Sequence, residues 1–374
     1  MKGRFVGLFI LLCMSASCGH GDPWMGDAAM VSISQFCSLA DDDDRLYRIS
    51  GEVVSVTDYS GGSFYLMDDS GYVFVYHMLN FSAIAPAAGD HVTLVARRNV
   101  FRGSLEACDA VCCGHTEGVS PGWNVDSSPF LWVELPMTYP DDGCRLLVHG
   151  TPGKERNFSV YYDTDASLPL WTAHVLCPSR RGSGGRTDAY AFDPLVPVPC
   201  QQALSQRSYS KGNGRKYVRG HLVPSADRLR MRDNLETFLS TNIIPQDPAM
   251  NSGAWSALEQ AIRSRWMTGC DSLYIVTGII PGGNEYVLDN SGRKIPVPDH
   301  IYKALLAFSS RFGYKGIAFY FANGPGDAES DLRSRAVSID RLEEIAGVDM
   351  FVNLPDDLEE QVEAVNPLEE AFWW

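Results

Sequence analysis

Between Leu46 and Val111 the chain is dominated by β-branched and aromatic runs separated by turn formers, with no helical period anywhere along it. Leu46–Thr57, Ser63–Asp68, Tyr72–Met78, His91–Phe101 and Ser104–Val111 each read as a strand. Phe64 to Asp68 and Tyr72 to Tyr76 flank Asp69-Ser70-Gly71, which predicts a hairpin. Five strands in about 70 residues bury their apolar sides most simply by closing into a small barrel. At 374 residues the chain has room for a second domain. Residues 114–130, dense in Gly, Ser, Pro and Asp, place the boundary. Beyond it strands and helices mix, so the expected class is α+β. Val160–Thr164, Leu170–Val175, Tyr217–His221, Ser272–Gly278 and Gly316–Ala322 read as strands. Asn251–Trp266, Tyr302–Phe312 and a segment from Ser338 to Ala346, capped by Ser338, read as helices.

The first residues follow another logic. Lys2 and Arg4 precede an apolar run from Phe5 to Met14, then Ser15-Ala16-Ser17-Cys18. A basic start, a short apolar stretch and small residues before a cleavage point describe a secretory signal. The cysteine resembles the lipid acceptor of a bacterial lipobox, although Ser15 stands where leucine is usual. The expectation is an exported protein of the cell envelope, held at a membrane through a lipid on Cys18, with residues 19–45 as a tether. Later apolar runs are shorter than the roughly 18 residues a membrane helix needs. Outside the leader stand eight cysteines, Cys37, Cys108, Cys112, Cys113, Cys144, Cys177, Cys200 and Cys270. An even number in an exported chain predicts disulfides. Cys108, Cys112, Cys113 and His115 suggest zinc, but adjacent cysteines poorly suit one tetrahedral ion and no second ligand pair stands at finger spacing.

Net charge is −15, which disfavours a polyanionic partner until its distribution is considered. Residues 178–233 hold eleven Lys/Arg against four Asp/Glu, whereas residues 327–370 hold three against fourteen. The first stretch can guide phosphates. The second reads as solvated surface. In the barrel, Ser50-Gly51-Glu52-Val53-Val54, Phe64 to Gly71 and Gly89-Asp90-His91-Val92 resemble an OB-fold module, here residues 46–118. Such barrels can stack single-stranded bases on aromatics, for which Tyr65, Tyr72, Phe74 and Tyr76 are available.

The stretch Tyr217-Val218-Arg219-Gly220-His221-Leu222-Val223-Pro224 places an imidazole and a guanidinium on either side of a glycine at a strand end. One can accept a proton near neutral pH and the other can pair with phosphate oxygens. Thirty residues after His221 comes Asn251, at the start of a helix whose Trp255, Leu258, Ile262 and Trp266 form a buried stripe. Asn251 suits either an N-cap or an oxygen ligand of Mg²⁺, which takes few protein ligands. Glu259 lies two turns further along.

Arg219-Gly220-His221, Thr241-Asn242-Ile243-Ile244-Pro245-Gln246, Asn251, Trp255 and Glu259 together resemble the DNA/RNA non-specific endonuclease family, of ββα-metal type. The resemblance runs from about residue 132 to 360, taking in Arg156 to Tyr162, Trp171-Thr172-Ala173, Val276-Thr277-Gly278, Ile295 to Asp299 with Tyr302-Lys303, and Val337 to Glu343. It therefore implies a nuclease domain over residues 132–374. Val218 departs from the family signature, which usually has Asp there. The resemblance implies His221 as general base and Asn251 as sole protein ligand of one Mg²⁺, with Mn²⁺ able to substitute. Glu259 would hold a metal-bound water, Arg219 and Arg186 would offset phosphate charge, and Asn242 would order the site. DNA and RNA are the implied substrates, and no protein partner is indicated. The rival readings are a non-catalytic surface lipoprotein that binds nucleic acid and a phosphodiesterase for smaller esters.

Overall fold

The computed structural model describes residues 28–57, 62–119, 132–139, 143–151, 155–205, 208–209, 217–327 and 331–374. The expected leader and Cys18 lie outside these. Part of the expected tether, however, is built into the barrel. Residues Ala29–Met30 form β1 and Ile33–Cys37 form α1, which a capping box between Ser32 and Gln35 opens. Ile33 and Phe36 then lie fully buried in the barrel core. Local capping chemistry and two apolar anchors outweigh the absence of a longer periodic pattern.

The barrel closes from β2 (Leu46–Val56), β3 (Phe64–Asp68), β4 (Gly71–Val75), β5 (His91–Phe101) and β6 (Ser104–Thr116), with α2 (Phe81–Ile84) between β4 and β5. The strand order is β2-β3-β4-β6-β5 and back to β2, with β4 and β6 parallel and the rest antiparallel. This is the OB-like closed barrel the sequence predicts.

The second domain is built on an antiparallel sheet ordered β17-β16-β15-β12-β9-β8-β7. Its strands are β7 (Cys144–Gly150), β8 (Arg156–Asp163), β9 (Leu168–Leu176), β12 (Ser272–Ile280), β15 (His300–Ser309), β16 (Gly313–Ala322) and β17 (Ala336–Val337). Between β9 and β12 come α3 (Pro178–Arg181), β10 (Val218–His221), α4 (Met231–Glu236), β11 (Ile243–Gln246) and a long helical run. That run comprises α5 (Pro248–Met250), a wide π-type turn at Asn251–Trp255, α6 (Ser256–Ala261), a second wide turn at Ile262–Trp266 and a tight turn at Met267–Gly269. A small hairpin, β13 (Tyr286–Leu288) with β14 (Lys294–Pro296), precedes β15.

Both faces of the sheet are covered. Trp255, Leu258, Ile262 and Trp266 pack with Ile275, Leu305 and Phe319 on one face. On the other, α7 (Ile339–Ala346) and α8 (Asp356–Glu363) bring Ile339, Leu342 and Val362 against Val276, Tyr302 and Leu306. Ser338 caps α7 as expected, its hydroxyl accepting from the Arg341 N–H. The expected helix at Tyr302–Phe312 is instead the strand β15. Ile301 and Leu305 face one core, and Tyr302 and Leu306 the other, so a strand buried on both sides loses its polar alternation and cannot be told from a buried helix by period.

The expected disulfides do not form among the described residues. Adjacent Cys112 and Cys113 lie on β6, one buried and one exposed, so their side chains diverge. Cys177 turns to Ser179 and Cys270 to the Trp266 carbonyl. No zinc cluster forms at Cys108, Cys112, Cys113 and His115 among the described residues. His115 instead pairs with Asp90 at 2.8 Å.

The two domains share an apolar seam. Val54 and Met67 of the barrel pack with Ala189 and Leu235 of the second domain, flanked by Tyr65, Tyr72 and Met231. The Tyr72 hydroxyl donates to the Thr187 carbonyl at 3.2 Å, the Phe192 N–H donates to the Val56 carbonyl at 3.0 Å, and Arg232 pairs with Glu52. Tyr65 and Tyr72, two of the four aromatics available for base stacking, are thus engaged in docking.

Candidate active site

β10 and β11 form an antiparallel ribbon in which His221 opposes Ile243, Gly220 opposes Ile244 and Val218 opposes Gln246. The helical run follows β11 directly, completing a ββα unit. Glycine is required at 220 because a Cβ there would run into the Gln246 side chain, which crosses the ribbon. This close approach explains the residue between Arg219 and His221. Val218, in place of the family's usual Asp, takes a regular position in the ladder.

His221 is partly exposed, and its ring meets Phe238 edge-on at 4.8 Å and Tyr190 at 6.0 Å. Nε2 is itself buried and has no hydrogen-bond partner among the described residues, while the ring is hydrogen-bonded to the Arg219 backbone. Burial, reinforced by the Arg186 and Arg219 guanidiniums, pushes its pKa down to about 3. The imidazole is therefore neutral at physiological pH and keeps a free lone pair.

The same two aromatic rings carry the arginines. Arg219 lies over Tyr190 at 4.9 Å and donates to the Ser205 carbonyl at 3.1 Å. Arg186 lies over Phe238 at 4.8 Å, pairs with Asp188 at 2.7 Å and remains half exposed. Most other described arginines of the basic stretch are committed internally. Arg228 is buried on Asn157 and the Val175 carbonyl, Arg181 donates to the Ala226 carbonyl, and Arg180 and Arg230 share Glu155. The charge count of residues 178–233 thus overstates the free basic surface among the described residues.

Asn242 is fully buried and holds the chain just after His221. Its Oδ1 accepts from the Val223 N–H at 2.9 Å, and Nδ2 donates to the carbonyls of Val223 at 3.0 Å and Thr237 at 2.8 Å.

Of the two sequence readings of Asn251, the cap is excluded. Asp247 is the N-cap, its carboxylate accepting from the N–H groups of Ala249 and Met250. The Asn251 side chain sits one turn inside, half buried, with no hydrogen bond to the described residues. In a regular helix Asn251 and Glu259, eight residues apart, would be about 80° out of line. The run between them is not a regular helix, because Gly253 inside the wide turn takes non-helical backbone angles (φ −94°, ψ −110°) and kinks the chain there.

Glu259 joins a buried polar network. Burial raises its carboxyl to about 7 despite Lys303, with Asp227 adding to the rise and Arg263, 3.6 Å away, opposing it. Lys303 is almost fully buried and donates to Thr277 Oγ1 at 2.6 Å and to the Leu222 carbonyl at 3.3 Å, one residue from His221. Burial lowers its ammonium to about 8. Asp227 accepts from Arg263 at 3.0 Å and lies 3.4 Å from His174.

His221, Arg219 and Arg186 thus meet around one aromatic pair, and Lys303 ties Glu259 to the same loop. Sequence reasoning left Tyr190, Phe238 and Lys303 without roles, and no spacing distinguishes them from core residues. It also missed Asn323, whose Oδ1 accepts from the Asp247 N–H at 2.8 Å while Nδ2 donates to the Pro245 and Pro298 carbonyls.

A ββα unit with a free imidazole between two guanidiniums defines a phosphodiester-cleaving class. The family model for DNA/RNA non-specific endonucleases matches residues 145–357, and the chain belongs to that family. It is 32% identical over 218 residues to a nuclease of Nostoc sp. (strain PCC 7120), covering 56% of this chain and 76% of that one. It is 28% identical to human mitochondrial endonuclease G, covering 55% and 73%. A chain in the crystal structure of the EndoG/EndoGI complex superimposes with a TM-score of 0.45 at 20% identity, over 56% of this chain and 86% of that one. The protein is accordingly a hydrolytic nuclease of a metal-dependent family, acting on nucleic acids.

Proposed function

We propose that this chain is an exported, Mg²⁺-dependent endonuclease that hydrolyses phosphodiester bonds of DNA and RNA alike. The observation that carries the reading is the free Nε2 of a neutral His221 flanked by Arg186 and Arg219. Water attacks phosphorus as His221 Nε2 takes its proton, a water oxygen–phosphorus bond forms, and the bond to the 3′ oxygen breaks. The two arginines bind the phosphate and offset its developing charge. Their neutralisation by the bound phosphate removes part of what depresses His221, so the base strengthens when substrate arrives. The side chain of Asn251, which makes no hydrogen bond to the described residues, fits a cation that takes few protein oxygens. Mg²⁺ held there would act as a Lewis acid toward the phosphate and the leaving oxygen. Mn²⁺ would substitute. Phosphate contacts carry no sequence information, which favours broad specificity.

Purified protein should degrade both plasmid DNA and RNA with Mg²⁺ and spare both in excess chelator. Undiminished cleavage in chelator would sink the metal requirement, and cleavage at one short sequence only would sink the broad specificity.

The leader pattern supports export and anchoring through Cys18. Labelled fatty acid should attach to the wild-type chain and not to Cys18→Ala; a mature protein bearing no lipid refutes the anchor while leaving the nuclease reading intact.

A further inference from the structure

The acidic stretch that reads as solvated surface contains a partly buried cluster. Asp340 and Glu343 lie three residues apart on one face of α7, and Glu363 closes α8. One carboxylate oxygen from each lies within 4.8 Å of the other two. Three carboxylates this close can share one cation, and Ca²⁺ accepts such a carboxylate-rich group more readily than Mg²⁺, which keeps its waters and takes one or two carboxylates. Glu363 is only 4% exposed, and its Oε1 has no hydrogen-bond partner among the described residues. Glu343, by contrast, already uses Oε1 to accept from the Met350 N–H at 2.7 Å. The charges that bear on Glu363 are Glu343, Glu359, Asp340 and Asp349, all acidic. Arg341, on the same helix, is paired with Glu344 in solvent. A buried, unpaired carboxylate aimed at two others is costly unless something positive joins it.

We propose that Asp340, Glu343 and Glu363 form a calcium site, distinct from the catalytic centre, that clamps α8 to α7 against the sheet. The exposed Asp340 gives the ion an entry path, and water completes the six to eight oxygens that Ca²⁺ takes. Both helices pack on β16, so the clamp acts on stability and not on the reaction.

The test uses the full chain carrying Asn251→Ala, stripped with chelator, so that the proposed catalytic metal ligand is absent and no activity is read. CaCl₂ at a hundredfold excess over its dissociation constant should raise the unfolding temperature by roughly 5–10 °C. Calorimetric titration should give one ion per chain, and equal MgCl₂ should produce a much smaller rise. Glu363→Gln and Asp340→Asn should each lose most of the calcium effect. Should Glu363→Gln fail to fold, the exposed Asp340→Asn carries the comparison. No rise with CaCl₂, an equal rise with MgCl₂, or an undiminished rise in the variants overturns the site.

Discussion

At the scale of single residues, the proposed mechanism separates a group that moves a proton from groups that hold phosphate and metal. His221 makes few structural bonds, so His221→Ala should unfold at nearly the wild-type temperature and bind nucleic acid almost as well. Its cleavage rate should fall roughly 10²–10⁴-fold, the usual worth of a positioned base. A folded His221→Ala protein with near wild-type cleavage would refute the assignment. The pH profile follows from two shifted groups. With His221 depressed to about 3, the base stays unprotonated from mildly acid to alkaline pH and contributes no acid limb of its own near neutrality. Glu259, raised to about 7, is neutral below that pH and anionic above it, and only the anion assists cation binding. At limiting Mg²⁺, kcat/KM should therefore fall as pH drops through about 7. More Mg²⁺ should move that limb to lower pH, because a bound cation favours the anion. Glu259→Gln should lose the limb, and its persistence there would assign the titration to another group.

At the scale of elements, what the sequence makes legible is what local chemistry repeats. Trp255, Leu258, Ile262 and Trp266 stand at helical spacing and are indeed buried on one face. The barrel strands alternate over much of their length because one face lines the core, and the alternation lapses where Val54 and Met67 meet the second domain. Arg219-Gly220-His221 is legible as a motif, and the clash that a Cβ at 220 would make with Gln246 explains its glycine. The failures share a physical cause: long-range packing overrides local pattern. β15 is buried on both faces and has no alternation to display. Lys303 reads as a surface cation until the fold encloses it beneath Leu222. Asn323 latches the junction of β11 and α5 from 76 residues beyond Asp247, a relation no local window contains. Asn251 illustrates the intermediate case. Its position before an apolar stripe permits a cap or a ligand, and the choice depends on Asp247 taking the cap. The kink at Gly253 that follows it interrupts the continuous helix that the residue pattern predicts.

At the scale of the whole molecule, the barrel is docked onto the segment that carries part of the active site. Thr187, Ala189 and Phe192 contact the barrel, and the same few residues include Arg186 and Tyr190, on the side of the site to which phosphate binding is proposed. The barrel therefore buttresses Arg186 whether or not it binds nucleic acid itself. Met67 is buried in the seam beside Leu235, on the barrel side. Met67→Asp places a second acid there opposite Glu52, its cross-strand partner, whose cation Arg232 is already engaged, which should open the seam while leaving each domain's own core in place. Calorimetry should then resolve two unfolding transitions where the wild type has one. With Arg186 touching phosphate in ground and transition states alike, as proposed, loosening it should weaken substrate binding more than it slows the chemical step. KM should rise several-fold with kcat changed much less, the reverse of His221→Ala. Met67→Leu, which keeps the seam apolar, should restore both the single transition and the wild-type KM. If Met67→Asp instead unfolds in one transition with unchanged KM, the barrel is not what holds the Arg186 segment in place.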